Sequence, residues 1–260
     1  MVQLFTGSTS APAELSIDSP TFLLALFTMG VLSGSTAAVI GFGIGSLLTP
    51  LLTLRLGPEL AIAVVALPHL LATATRLLRH AASVDRPTFV RFGLLSATGG
   101  LGGALLQSRF GAPALLAVLG SLLIATALAS LSGNFGARRP GGPAALAMGL
   151  LSGFFGGLVG NQGGLRAAGL LAFDLSPRAF LATSTAIALV VDLARTPVYL
   201  ARAGPQLWSL ALPIVIAAGG CLAGTIWGER LLLRIEPATY RRLVGAGVGV
   251  IGVWLLARAL

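Results

Sequence analysis

Residues 30–58 read GVLSGSTAAVIGFGIGSLLTPLLTLRLGP, and residues 149–177 read GLLSGFFGGLVGNQGGLRAAGLLAFDLSP. A shift of 119, without a gap, superposes Gly30 on Gly149, Ser33 and Gly34 on Ser152 and Gly153, Gly41 on Gly160, Gly45 on Gly164 and Pro58 on Pro177. Carried further, the same shift puts Arg76 on Arg195. The chain holds one unit written twice. In each copy an apolar run is broken by glycines, the pattern that points to the binding site of a transporter built from internal repeats.

Composition agrees with a membrane location. Of 260 residues 55% are hydrophobic and 10% charged, and the mean hydropathy is +0.93, far from the balance of a soluble domain. A crossing helix needs about 20 apolar residues, and most of the chain between polar clusters supplies them. The fold class expected is an all-α polytopic integral membrane protein. Its net charge of +9 comes from seventeen arginines and no lysine. They lie mostly in short interhelical loops without interleaved aromatics, so the charge speaks for topology rather than nucleic acid. One cysteine, Cys221, excludes an internal disulfide and a cysteine metal cluster. The first 20 residues are polar and lack the basic start of a signal peptide.

The organisation follows. A lead-in over 1–20 precedes a first repeat over 21–132, a hydrophilic linker over 133–143 (GNFGARRPGGP) and a second repeat over 144–260. The run 22–54 is too long for one crossing and divides at the glycines into arms over 22–40 and 46–56, with helices following over 60–78, 88–107 and 112–131. The second repeat gives a broken pair over 144–159 and 164–173, then helices over 179–200, 207–227 and 239–258. If each broken pair returns to its starting side, ten loop arginines share one face and four the other; if each crosses once, the split is seven and seven. The positive-inside bias selects the first arrangement, which inverts the two repeats and places both termini outside the cytoplasm.

Irregular backbone at membrane depth survives only when buried in protein or lining a wet cavity. A half-helix starting after such a break aims free N–H groups and a positive dipole end into the gap, which suits an anion. Gly41, Gly43, Gly45, Gly163 and Gly164 are therefore candidate substrate-binding positions, close helix packing being the other use of such residues. Residues 41–45 and 160–164 are expected to be non-helical and to face each other inside the membrane, with Asn161 and Gln162 inside the second break. Arg76, Arg166 and Arg195 fall within apolar segments, where a charge costs at least about 2.5–3.5 kcal/mol and needs a cavity, a partner or a ligand. Guanidinium offers a fork of donors that fits oxyanions; at the end of a helix it can also snorkel to the interface. Asp192 lies one turn before Arg195, which allows an i,i+3 pair, structural or proton-sensitive. His69 titrates near neutral pH or is a hydrogen-bonded bystander. Ser184, within Thr183-Ser184-Thr185, either donates to an anion or bonds back to its own helix. Asp192 and His69 are the coupling candidates. No nucleotide-binding motif, metal-ligand cluster or hydrolytic constellation stands in the chain, so an enzyme is not expected and no cofactor is implied.

A Ser-Gly helix running into a glycine-rich break, then a proline-containing turn and an Ala-Thr-Ser helix, occurs twice here, as SGSTAAVIGFGIG…LGPELAIAV and SGFFGGLVGNQGG…LSPRAFLATS. This pattern resembles the TauE/SafE sulfite exporter family of the transmembrane anion permeases over nearly the whole chain. The family's usual break is Gly-x-Gly-Gly-Gly; here it is Gly-Phe-Gly-Ile-Gly and then Gly-Asn-Gln-Gly-Gly, and Ala63-Val64-Val65 stands where a first Ala-Thr-Ser would be. The resemblance implies a secondary transporter or facilitator exporting sulfite or an organosulfonate across the bacterial cytoplasmic (inner) membrane, with the lipid bilayer and a small anion as its partners. A non-transporting accessory protein and a cation or metal permease are the alternatives, the latter disfavoured by the scarcity of embedded carboxylates.

Overall fold

The computed structural model describes residues 16–132, 140–232 and 237–260, and among them 89% helix and no strand is found. In the first half α1 spans Pro20–Ile40, α2 Ile44–Leu56, α3 Pro58–His80, α4 Arg86–Thr88, α5 Leu94–Leu106 and α6 Ala112–Leu131. In the second, α7 spans Gly142–Val159, α8 Gly163–Leu170, α9 Pro177–Ser209, α10 Ala211–Leu232 and α11 Pro237–Ala259. A π-turn over Phe89–Gly93 joins α4 to α5 as one rod. Eight of these helices or rods are long and apolar enough to cross a membrane. Leu78 is 84% and Trp208 82% exposed, side chains suited to lipid contact rather than to water.

Close packing uses small residues four apart, and backbones meet directly. A Cβ on Gly34 of α1 would stand 2.2 Å from the Cys221 carbonyl oxygen of α10, and one on Gly224 of α10 would stand 2.1 Å from that of Val31. The second half repeats the joint. A Cβ on Gly153 of α7 would lie 1.8 Å from the Ser96 oxygen of α5, and one on Gly103 of α5 would lie 2.0 Å from that of Phe154. Lipid tails are as apolar as leucine, so such van der Waals contact between backbones, rather than water exclusion, holds helices together in a bilayer. Gly30, Gly99, Gly157 and Gly220 serve the same purpose along these two joints.

The first helix of each half thus packs on the fourth of the other, α1 on α10 and α7 on α5. Along both joints residue numbers rise together, so those helices run parallel. The equivalent pairs behave oppositely. On α3 and α9, His69 meets Asp192 and Arg76 meets Thr185, so numbers rise on one as they fall on the other. On α6 and α11, Gly120 meets Gly252 while Ser130 meets Gly245, again antiparallel.

The expected helix positions match within a few residues, with one exception. The helix expected over 179–200 runs on to Ser209, because Pro197 and Pro205 are absorbed and the chain bends only at Ala203 (φ −121°, ψ 17°). A proline kinks a helix without ending it where neighbouring helices re-satisfy the freed carbonyls. The lead-in before residue 16, linker residues 133–139, and Arg138, Arg139 and Arg234 of the loop count lie outside the described residues.

Candidate functional site

The site is built from two helix ends of identical design. Gly41 closes α1 at φ 89°, its N–H donating to the Ala37 carbonyl at 3.0 Å; Gly160 closes α7 at φ 74°, its N–H donating to Gly156 at 3.1 Å. A Cβ is strained at such φ, so the left-handed turn that ends each arm favours glycine. New helices begin at Ile44 and Gly163, which confines the irregular backbone to 41–43 and 160–162. Gly45 and Gly164, expected inside the breaks, are therefore in the first turns of α2 and α8. The absent side chains of Gly45 and Gly163 let the two breaks touch, while Gly164 faces Thr126 of α6. A Cβ on Gly45 would lie 2.0 Å from the Gly160 oxygen, and one on Gly163 would lie 2.1 Å from Phe42 Cβ.

The Ala37 and Gly156 carbonyls that accept the Gly41 and Gly160 N–H groups each take a second donor, from an arginine. Arg76 donates from Nη1 to the Ala37 carbonyl and from Nε to Thr185 Oγ1 at 2.9 Å. Arg195 donates from Nη1 to the Gly156 carbonyl and from Nε to Asp192 Oδ1 at 3.1 Å. Each arginine reaches back 39 residues to the equivalent carbonyl. A cation there also meets the negative end of the helix dipole. On α7 the two following carbonyls are taken as well, Gly157 by the Tyr199 hydroxyl and Leu158 by Gln107 Nε2 at 3.4 Å.

Between the breaks lies a cavity of about 10 Å³, enough for one water, lined by Phe42, Ser46, His69, Asn161, Gln162 and Arg166 among others. Arg166 points into it, and only 2% of the residue is exposed. Its Nε donates to Ser184 Oγ at 3.0 Å, while Nη1 has no protein partner. Asn161 Nδ2 and both polar atoms of Gln162 are likewise buried without one; Asn161 Oδ1 accepts from Ser46 Oγ at 3.5 Å. Neither α2 nor α8 has a side-chain cap at its N-terminus. Unpaired buried donors of this kind cost about 1–3 kcal/mol each, more where charged. A ligand that accepts hydrogen bonds relieves that cost.

Charge points the same way. Among the described residues the buried formal charges are Arg76, Arg166 and Arg195 against Asp192, a net of +2 with His69 neutral. Asp192 accepts from Arg195 on Oδ1, with Nη2 at 2.9 Å, and faces His69 Nδ1 at 2.6 Å on Oδ2. Of the hydroxyl trio, Thr185 bonds back to Leu181, Ser184 holds Arg166, and Thr183 Oγ1 accepts the Asp85 N–H at 2.9 Å. The structure thus brings Gly43, Gly45, Asn161, Gln162, Gly163, Arg166 and His69 to one cavity, with Ser184 behind Arg166. Gly41 and Gly164 flank it, and Arg76 and Arg195 commit donors to helix ends. Sequence reasoning missed Ser46, Tyr199 and Gln107. Tyr199 had a signal, standing one turn beyond Arg195 on the same helix face.

The two ends of the α3–α9 pair differ. Where α3 begins and α9 bends, an open vestibule of about 410 Å³ is lined by Glu59, Ala63, Gln107, Tyr199, Arg202 and Gln206 among others. At the opposite end the turn after α3 folds over the start of α9, through the Asp85 N–H to Thr183. Hydrogen bonds from Thr88, including its backbone N–H at 3.0 Å, hold the Asp85 carboxyl below the usual carboxylate range.

Residues 26–255 match the family model described as Sulfite exporter TauE/SafE. Comparison with curated proteins and with solved structures returns no match.

Proposed function

The chain belongs to the TauE/SafE family of sulfite exporters, and from that premise we propose that its anion is held between the two helix breaks. The family consists of multi-pass inner-membrane transporters of sulfite and sulfonates, not enzymes. Arg166 and the Asn161 and Gln162 amides contact the oxyanion, together with first-turn N–H groups of α2 and α8. Arg76 and Arg195 close the helix ends and add positive field; direct contact falls to Arg166. One observation carries this reading: the unpartnered Arg166 Nη1, buried in a cavity that both breaks line, within a cluster of net charge +2.

The antiparallel course of α3 and α9, and of α6 and α11, supports two inverted repeats related by an axis in the membrane plane. The vestibule beside Tyr199 is the solute's way out on the side away from the cytoplasm, and the Asp85–Thr183 closure is the shut door on the cytoplasmic side. Export suits a negative interior, since each negative charge leaving gains about 2.3 kcal/mol per 100 mV. A cation or metal permease finds no support: Asp192, the buried carboxylate among the described residues, is already paired.

Counterflow of labelled sulfite in proteoliposomes tests the assignment. Arg166→Gln should lower sulfite affinity by about 10–100-fold, the worth of one charged hydrogen bond. Leu47→Gln, at the equivalent position of the first repeat, should leave it within twofold. Equal affinities in the two variants would move the site away from the second break.

A further inference from the structure

We propose that His69 takes up a proton as the anion binds, so that anion and proton occupy the cavity as one load. This rests on the placement of the anion argued above and adds its coupling partner.

His69 is on α3 and lines the cavity between the breaks. Its Nδ1 stands 2.6 Å from Asp192 Oδ2, and the other oxygen of that carboxylate is held by Arg195 Nε at 3.1 Å and Nη2 at 2.9 Å. An ionised carboxylate only accepts, so Nδ1 carries the hydrogen of the neutral ring and Nε2 is left as its basic nitrogen. The carboxylate fixes the tautomer and stabilises the imidazolium, and the anion supplies what it cannot. With Arg76, Arg166 and Arg195 buried against Asp192 among the described residues, a proton on His69 raises the cluster from +2 to +3. A dianion beside Arg166 reverses that repulsion. The proton favours the anion by the same factor as the anion favours the proton.

The groups facing His69 support this pairing. Asp192 and Arg195 come from α9 and Arg166 from α8, while Arg76, two turns along α3, acts on the same Asp192. Thr73 Oγ1, one turn on, lies 3.3 Å from Nδ1. The described titratable side chain of α10 is Cys221, engaged with Ser33 Oγ at 3.8 Å. Arg55 of α2 is exposed at that helix's far end, and α6 and α7 carry no titratable residue. In balance, bisulfite plus neutral imidazole gives sulfite plus imidazolium; one proton moves from the anion to Nε2, and no other bond changes. Where sulfite itself arrives, the proton comes from the buffer and the bound state is the same.

Two histidines in the chain make the test direct. Full-length protein labelled with ¹⁵N-histidine is placed in lipid nanodiscs, and His69 is assigned by comparison with His80→Asn. At slightly alkaline pH without sulfite, the His69 ring should show a protonated Nδ1 and a bare Nε2. With saturating sulfite both nitrogens should become protonated. Calorimetry on the same samples, in buffers of different ionisation enthalpy, should show wild type taking up close to one proton more per sulfite than His69→Gln. Sulfite that binds while the ring stays unchanged, or equal uptake in the two proteins, overturns the coupling and leaves the site in place. No sulfite binding at all overturns both.

Discussion

At the first break Gly41 turns α1 into the left-handed region and Arg76 holds the Ala37 carbonyl; at the second, Gly160 turns α7 and Arg195 holds Gly156, 119 residues on. The side chains around these matched backbones differ. Phe42 and Leu47 stand where the second repeat has Asn161 and Arg166, Val65 where it has Ser184, and Thr73 where it has Asp192. The first repeat contributes His69 and Ser46, and a phenyl ring that closes on Gly163. The two halves share a frame, and in the proposed reading the second supplies most of the groups that meet the anion.

The largest effect expected from breaking the frame is at the contact between the breaks. Gly45→Ala drives a Cβ to 2.0 Å from the Gly160 oxygen, a backbone atom that cannot swing away. Detergent-stable protein should be lost, as measured by size-exclusion yield. Gly57→Ala, with nothing within 4 Å but φ 74° and ψ 165°, should cost about 1–3 kcal/mol of backbone strain and leave folded protein in hand. Equal losses would mean that the breaks do not bear on each other.

The next comparison sets the two arginines against each other. Arg195→Met strips Asp192 of its ion pair and should cost roughly 3–5 kcal/mol, as the loss of one partner of a buried pair does. Asp192→Asn should cost a similar amount, and the double variant should recover part of it. Arg76→Met leaves behind a neutral Thr185 hydroxyl and a carbonyl, so about 1–3 kcal/mol is expected. Thermal unfolding in detergent ranks them. A ranking with Arg76 the more costly would contradict the claim that the two ends share a cap and differ in charge.

Much of this frame was legible in the chain, because it depends on local chemistry at a fixed shift. Glycine marks left-handed turns and close crossings, and the register placing Arg76 on Arg195 held down to the carbonyl each one reaches. The i,i+3 pair of Asp192 and Arg195 was legible for the same reason, since a helix fixes that distance. The rest depends on how distant segments meet. His69 finds Asp192 across 123 residues, and nothing local to either announces it. Arg166 lies two residues past a glycine pair, so its facing depended on where α8 begins. The length of α9 hid behind Gly204 and Pro205, which fall between the helices expected over 179–200 and 207–227 and read locally as a stop. Gly45 and Gly164 looked like parts of the breaks because sequence shows that a glycine is small, but not whether its smallness serves a turn or a contact.

The central claim is that an oxyanion sits where the two breaks meet. Selenite carries the shape and charge of sulfite with a strong anomalous scatterer at its centre. Anomalous diffraction from crystals soaked in selenite should give a peak within hydrogen-bonding reach of Arg166 Nη1 and the Asn161 and Gln162 side chains, and the peak should vanish in Arg166→Gln crystals. A peak confined to the vestibule beside Arg202 and Tyr199, or one that persists unchanged in Arg166→Gln, would contradict it.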